Sequence, residues 1–195
     1  MRITLIRHGK PTFELKGNMR AGDLGQIARS YDASGISDTP GLDALEAVKG
    51  HERVVCSALL RSQESASALG FSEVHLSDAM FNEVAVPHFN GGSLRLPVRV
   101  WVVVLRVMWL MGFAQNGESV SAAKRRAKLA ASELVGLAQS HGSVLLVGHG
   151  FINLLIAKEL QRVGWDGPPR PISEYWGTGV YERPVAPLES VNKGN

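Results

Sequence analysis

The segment Ser143–Gly148 reads Ser-Val-Leu-Leu-Val-Gly, and it constrains the chain more than any other stretch. Consecutive aliphatic residues without polar alternation describe a strand covered on both faces. Such a strand belongs in a sheet with helices packed above and below it. Three more runs read as strands: Arg2–Ile6, Arg53–Ser57 and, more weakly, Glu73–Ser77. Helical patterns separate them. Ala58–Leu69 is rich in Ala and Leu and stops at Gly70. Ser119–Gln139 is a long Ala/Lys/Arg/Leu segment, and Phe151–Val163 is apolar on most sides and stops at Gly164. A glycine just past a helical pattern is a C-terminal stop signal. The alternation predicts an α/β fold, a three-layer α/β/α sandwich with a mostly parallel central sheet. Residues 11–41 and 79–97 are rich in Gly, Pro, Asp and Ser and read as long loops, and Tyr175–Arg183 reads as an added edge strand. A length of 195 residues fits a single domain over 1–195, with a helical insertion at about 90–118.

Composition narrows the function classes. Hydrophobic residues make up 45% and charged residues 20%, which excludes wholesale disorder. The net charge of +3 suits an anionic ligand but is too small to point to nucleic acid. The single cysteine, Cys56, excludes an internal disulfide framework and a four-cysteine zinc site, and it fits a reducing compartment. The apolar run at the N-terminus is far too short for a signal segment, and Val98–Met111 is too short and carries Arg99 and Arg106, so it is not expected to span a bilayer. The expected location is the cytoplasm, with neither membrane nor nucleic acid as partner.

Ligands of open α/β sheets bind beyond the carboxyl ends of the strands. The first strand runs into Arg7-His8-Gly9 and the second is followed closely by Arg61. Glu83 follows the third, and His149-Gly150 ends the fourth. Four distant segments therefore bring two histidines, two arginines and a carboxylate toward one edge of the sheet. Two guanidinium groups form a fixed fork for a tetrahedral dianion. A neutral imidazole is a competent nucleophile at phosphorus, and a second histidine, protonated, would stabilise the equatorial oxygens. A carboxylic acid can protonate the leaving oxygen and then activate water. A glycine after the nucleophile lets the backbone approach the phosphoryl group. These parts make a phosphoryl-transfer site that needs no metal.

The same residues carry a resemblance. Leu5-Ile6-Arg7-His8-Gly9 resembles the Arg-His-Gly signature of the histidine phosphatase superfamily, the phosphoglycerate-mutase-like proteins. Val54-Val55-Cys56-Ser57-Ala58-Leu59-Leu60-Arg61-Ser62-Gln63-Glu64-Ser65-Ala66 resembles its second block. Asn116-Gly117-Glu118-Ser119 resembles its Gly-Glu-Ser element, and Val147-Gly148-His149-Gly150 its last block. The blocks occur in the family's order over roughly residues 1–160. The resemblance implies His8 as phosphoacceptor, Arg7, Arg61 and His149 as the phosphoryl grip, and Glu83 as acid and base. Asp78 and Glu73 are the rivals for that last role. It implies a phosphoglycerate-mutase-like fold, no cofactor, no metal, and a phosphorylated small molecule or phosphoprotein as substrate. A homo-oligomer stays open.

The sequence departs from the mutase pattern after the signature. Lys10, Pro11 and Glu14 stand where mutases usually carry Glu or Gln, Thr or Ser, and Asn. Pro11 offers neither amide hydrogen nor hydroxyl. A carboxylate at position 14 repels a dianion unless it turns outward. Hydrolysis of a phosphate monoester is therefore the expected activity. The alternatives are a mutase-type phosphoryl transferase and a non-catalytic phosphate-binding module.

Other features weigh less. Cys56 and Arg61 are one residue too close for a tyrosine-phosphatase loop, so Cys56 is expected in the core. His51, His75, His88 and His141 are scattered, and only His88 is placed to line the pocket. Val98–Met111 reads as a helix with Trp101, Leu105 and Trp109 on one face, packed in the core, and two snorkelling arginines on another; the alternatives are a lid helix that offers apolar surface to a substrate or a second subunit, and a valine-rich strand. The run Lys124-Arg125-Arg126-Lys128 reads as a solvated helix face.

Overall fold

The computed structural model describes residues 1–184 of the chain. Five strands form the central sheet: β1 (Arg2–Arg7), β3 (Val54–Ser57), β4 (Leu76–Asp78), β6 (Ser143–Gly148) and β7 (Thr178–Glu182). A short hairpin pairs β2 (Asn18–Arg20) with β5 (Arg95–Pro97). The helices are α1 (Leu24–Asp32), α2 (Leu42–Ala47), α3 (Leu60–Ala68), α4 (Val98–Leu110), α5 (Val120–His141) and α6 (Gly150–Arg162). The sheet order is β4-β3-β6-β1-β7, parallel throughout except for β7, which runs antiparallel to β1. The expected mostly parallel sheet and the edge strand are both present.

Each strand sends alternate side chains to opposite faces. Ile3, Leu5, Val55, Val144 and Leu146 meet α5 and α6 on one side. Ile6, Val54, Cys56, Leu145 and Val147 meet α2, α3 and Trp176 on the other. The two apolar clusters are the two interfaces of a three-layer sandwich. On α5 the buried residues Ala123, Ala127, Ala130, Ala131, Leu134 and Ala138 make one stripe at helical spacing. Alanine along that stripe lets the helix lie close to the sheet.

A third, smaller cluster joins Ala21 and Leu24 to Trp101 and Leu105, and it packs α1 against α4. The valine-rich segment is therefore a helix. Pro97 precedes it, and Val98, Trp101, Leu105 and Trp109 form its buried stripe. Val103, Val107 and Leu110 face outward. Residues 11–41 are not the expected plain loop, because they hold β2 and α1, and 79–97 hold β5. Among the described residues no helix is long and apolar enough to cross a membrane.

Candidate active site

Strand register builds the site. Arg7 on β1 lies opposite Gly148 on β6, so the next residues, His8 and His149, fall side by side. Their ring centroids are 4.8 Å apart. Cys56 on β3 lies opposite Val147, which brings Ser57 to the same sheet edge.

His8 is 2% exposed. Its Nδ1 lies 2.6 Å from the Gly9 carbonyl, which accepts the Nδ1–H and leaves Nε2 with its lone pair. Burial lowers the pKa of this imidazole to about 3, the Gly9 hydrogen bond opposes that shift, and Arg61 and Arg7 add to it. The ring is neutral at pH 7. Gly9 is required sterically, since a Cβ there would collide with the Trp176 ring and the Asp38 carboxylate. The Gly9 amide donates to Ser65 Oγ at 2.9 Å, which ties the turn to α3.

His149 is fully buried, and burial, then the positive potential of the site, holds its pKa well below the ordinary histidine value. Its Nε2 lies 2.7 Å from Ser57 Oγ. That hydroxyl oxygen already accepts the Leu59 amide at 3.2 Å. The Ser57 hydroxyl proton can then go to His149 Nε2, and in that tautomer the imidazole carries its own proton on Nδ1. Contrary to the expected protonated second histidine, burial keeps this ring neutral at pH 7, and its Nδ1 is buried without a partner among the described residues.

Arg61, on the first turn of α3, has a fully buried side chain. Its Nη1 donates to the Tyr31 and Asp32 carbonyls at 3.0 and 3.3 Å, and its Nη2 pairs with Asp32 Oδ1 at 3.1 Å. These acceptors lie at the C-terminal end of α1, the negative end of its dipole. The guanidinium also sits over the Tyr31 ring, 4.7 Å from its centroid. Arg7 lies over the Tyr175 ring at 4.4 Å, and its Nη1 donates to the Ser173 carbonyl. Arg7 Nε and Arg61 Nε are both buried without a partner among the described residues. Three nitrogens are thus left without a partner on side chains that are held by their other ends and that surround His8 closely enough to shift its titration.

Glu83 meets the N-terminus of α6. Its carboxylate accepts the amides of Phe151 and Ile152 at 3.1 and 3.0 Å, and that of Val84 at 2.9 Å. It lines one cavity together with Arg7, Tyr31 and Tyr175. Its rival Asp78 instead caps a short turn, accepting the Met80 amide at 2.7 Å. Glu73 is exposed. Glu14 turns outward and pairs with Lys16 and, at 3.8 Å, with Lys10. Cys56 is a core residue whose thiol burial pushes up to about 11. Among the described residues no group of three or more His, Cys, Asp or Glu side chains is arranged to hold a metal ion.

Several site residues had no functional signal in the sequence. Tyr31 and Tyr175 support the two arginines. Arg106 does not snorkel to solvent; its guanidinium lies over Phe151 at 4.3 Å and near Trp109, beside Glu83. Arg126 is not on a solvated face. It makes a two-pronged pair with Glu118 at 2.9 and 2.6 Å and donates to the Met80 and Asn82 carbonyls at 2.7 and 2.8 Å. It clamps the turn that presents Glu83.

The model of the histidine phosphatase superfamily (branch 1) matches residues 3–175. The chain belongs to this superfamily. No curated protein matches the sequence. Solved structures share the fold of this histidine phosphatase superfamily member at low identity. A mycobacterial glucosyl-3-phosphoglycerate phosphatase superposes with a TM-score of 0.56 at 20% identity, over 83% of this chain and 79% of that one. The Bacillus stearothermophilus protein YhfR gives 0.58 at 16% identity, over 92% and 89%. A mycobacterial hydrolase gives 0.58 at 19%, over 93% and 97%.

Proposed function

We propose that this chain hydrolyses phosphate monoesters through a phosphohistidine at His8, without a metal ion. One observation carries the reading: Arg7 Nε, Arg61 Nε and His149 Nδ1 are buried without partners beside a neutral imidazole. Buried donors left unpaired are costly, and an anion that accepts from all three removes that cost.

In the first step His8 Nε2 attacks phosphorus. The N–P bond forms as the P–O bond to the leaving alcohol breaks. The three donors hold the equatorial oxygens as charge redistributes. Glu83 protonates the leaving oxygen. In the second step water attacks the phosphohistidine, gives its proton to the Glu83 carboxylate, and the N–P bond breaks to release phosphate. Pro11 and the outward-turned Glu14 favour hydrolysis over mutase-type transfer, since neither supplies a neutral donor to a second phosphorylated position. The name of the mycobacterial phosphatase relative agrees in reaction class and lends no substrate.

The test is His8→Ala. The variant should keep the wild-type circular dichroism spectrum and lose all hydrolysis of p-nitrophenyl phosphate. Wild-type rates in the variant would refute the nucleophile. Rapid quench of the wild type should trap a phosphoryl-enzyme that is labile in acid and stable in base. EDTA should leave the rate unchanged.

A further inference from the structure

We propose that the substrate's leaving alcohol is apolar, an aryl or alkyl group of about phenyl or hexyl size rather than a polyol or a phosphoglycerate. This rests on the phosphatase reading above and adds the substrate class.

A cavity of about 310 Å³ shares Arg7 and Glu83 with the catalytic cluster. Arg7 grips the phosphoryl group and Glu83 protonates the departing oxygen, so the alcohol beyond that oxygen must enter this cavity. Its walls are mostly carbon. Leu24 and Ile27 come from α1, Val86 from the segment after Glu83, and Trp101, Val102 and Leu105 from α4. The indole hydrogen of Trp101 is already donated to the Met19 carbonyl at 2.9 Å, so that side chain presents only ring. Arg106 belongs to the catalytic end, because it lies over Phe151, whose amide holds Glu83. The other polar side chains on the lining are His88, whose ring lies close against Gly25, Tyr31 and Tyr175; Arg106 Nη1 and His88 Nδ1 are buried without a hydrogen-bond partner among the described residues. Arg106, His88, Tyr31 and Tyr175 can pair some hydroxyls of a sugar placed there, but the rest would be buried against Leu24, Ile27, Val86, Val102 and Leu105. A hydrocarbon of the same size would only gain by leaving water.

A second opening of about 520 Å³ adjoins this cavity through Tyr31 and Tyr175 and carries Lys10, Lys16 and Arg99, with Glu14 paired to the two lysines, so its balance is positive. It contains neither Arg7 nor Glu83. Its charge suits the approach of a dianion, and it does not house the leaving group.

The test is a binding series of n-alkylphosphonates, methyl to octyl, which cannot be hydrolysed, alongside turnover of the matching n-alkyl phosphates. Alkyl leaving groups beyond the first members differ little in basicity, so the series isolates contact with the walls. Kd should fall roughly fourfold per methylene, the equivalent of about 0.8 kcal/mol, and level off near hexyl. Glucose 6-phosphate and 3-phosphoglycerate should bind at least about 100-fold more weakly than hexylphosphonate, since one misplaced polar group already costs on this scale. Val102 stands on the rim and is 42% exposed, so Val102→Asp should fold and should flatten the chain-length dependence. A Kd indifferent to chain length, or sugar phosphates that bind as tightly as hexylphosphonate, would overturn the proposal. Length-dependent binding without any turnover would instead sink the phosphatase reading and leave the cavity assignment standing.

Discussion

At the scale of single residues, the chemistry depends on which nitrogen of each imidazole holds its proton. Gly9 sets this for His8 and Ser57 sets it for His149. Ser57→Ala removes the only hydroxyl that can donate to His149 Nε2, so the ring is free to take the wrong tautomer and present a lone pair to the phosphoryl oxygens. A drop in kcat of about tenfold is expected, the size of one lost hydrogen bond of about 1.4 kcal/mol. The measurement is steady-state turnover of p-nitrophenyl phosphate, with thermal unfolding as the control for the fold. Ser57→Thr should restore most of the rate. Glu83→Gln should cost little with p-nitrophenyl phosphate and about 100-fold or more with an alkyl phosphate, because only the poorer leaving group needs the proton. Equal losses on both substrates would remove Glu83 from that role. Arg7, His8 and His149 were legible because each follows an apolar run directly in sequence, and Arg61 and Glu83 because each comes a few residues after one. Ser57, Tyr31, Tyr175 and Arg106 were not. Each acts through a partner brought near only by folding, and a serine on a strand or a tyrosine in a loop carries no local mark of that.

At the scale of elements, the strands with continuous aliphatic runs were readable and α1 was not. Leu24-Gly-Gln-Ile-Ala-Arg-Ser-Tyr-Asp offers only a sparse apolar stripe, and its neighbours are glycine and aspartate. It is helical because α4 covers that stripe, a tertiary contact that local propensity does not report. The consequence reaches the site, since the end of α1 holds Arg61. The basic run on α5 was misleading for a related reason. Arg126 follows Ala123 by three residues and precedes Ala130 by four, so it borders the buried stripe and turns toward Glu118. Arg126→Met leaves Glu118 unpaired and frees the turn at Met80 and Asn82 that carries Glu83. A loss of about 2 kcal/mol is expected for this mostly buried pair, or a Tm lower by about 6 °C. A purely structural role would affect all substrates alike. The clamp instead predicts a larger kcat loss for alkyl phosphates than for p-nitrophenyl phosphate, the pattern of a misplaced acid.

At the scale of the whole molecule, two neutral imidazoles and two guanidinium groups share one buried sheet edge, and this couples stability to pH. The His8 pKa falls from 6.5 to about 3 on folding, and that of His149 falls as well. Well above pH 6.5 neither the folded nor the unfolded chain holds the second, charging proton on these rings, and the full stability is present. As pH drops below 6.5 the unfolded chain binds protons that the folded chain refuses, so stability falls, and it keeps falling until the folded-state pKa is reached. For His8 alone the loss at pH 4.5 is about 3 kcal/mol. His149 adds a loss of the same sign. Urea unfolding of the wild type should therefore show a steep decline in stability between pH 6.5 and pH 4, and His8→Gln should make that decline shallower. Inorganic phosphate should raise the Tm at pH 7 in proportion to its occupancy of the three unpaired donors, and Arg61→Met should abolish that rise. A wild-type stability that stays flat from pH 6.5 to pH 4 would mean that these rings take up protons freely in the folded state. The enclosed, neutral nucleophile on which the catalytic reading depends would then not exist.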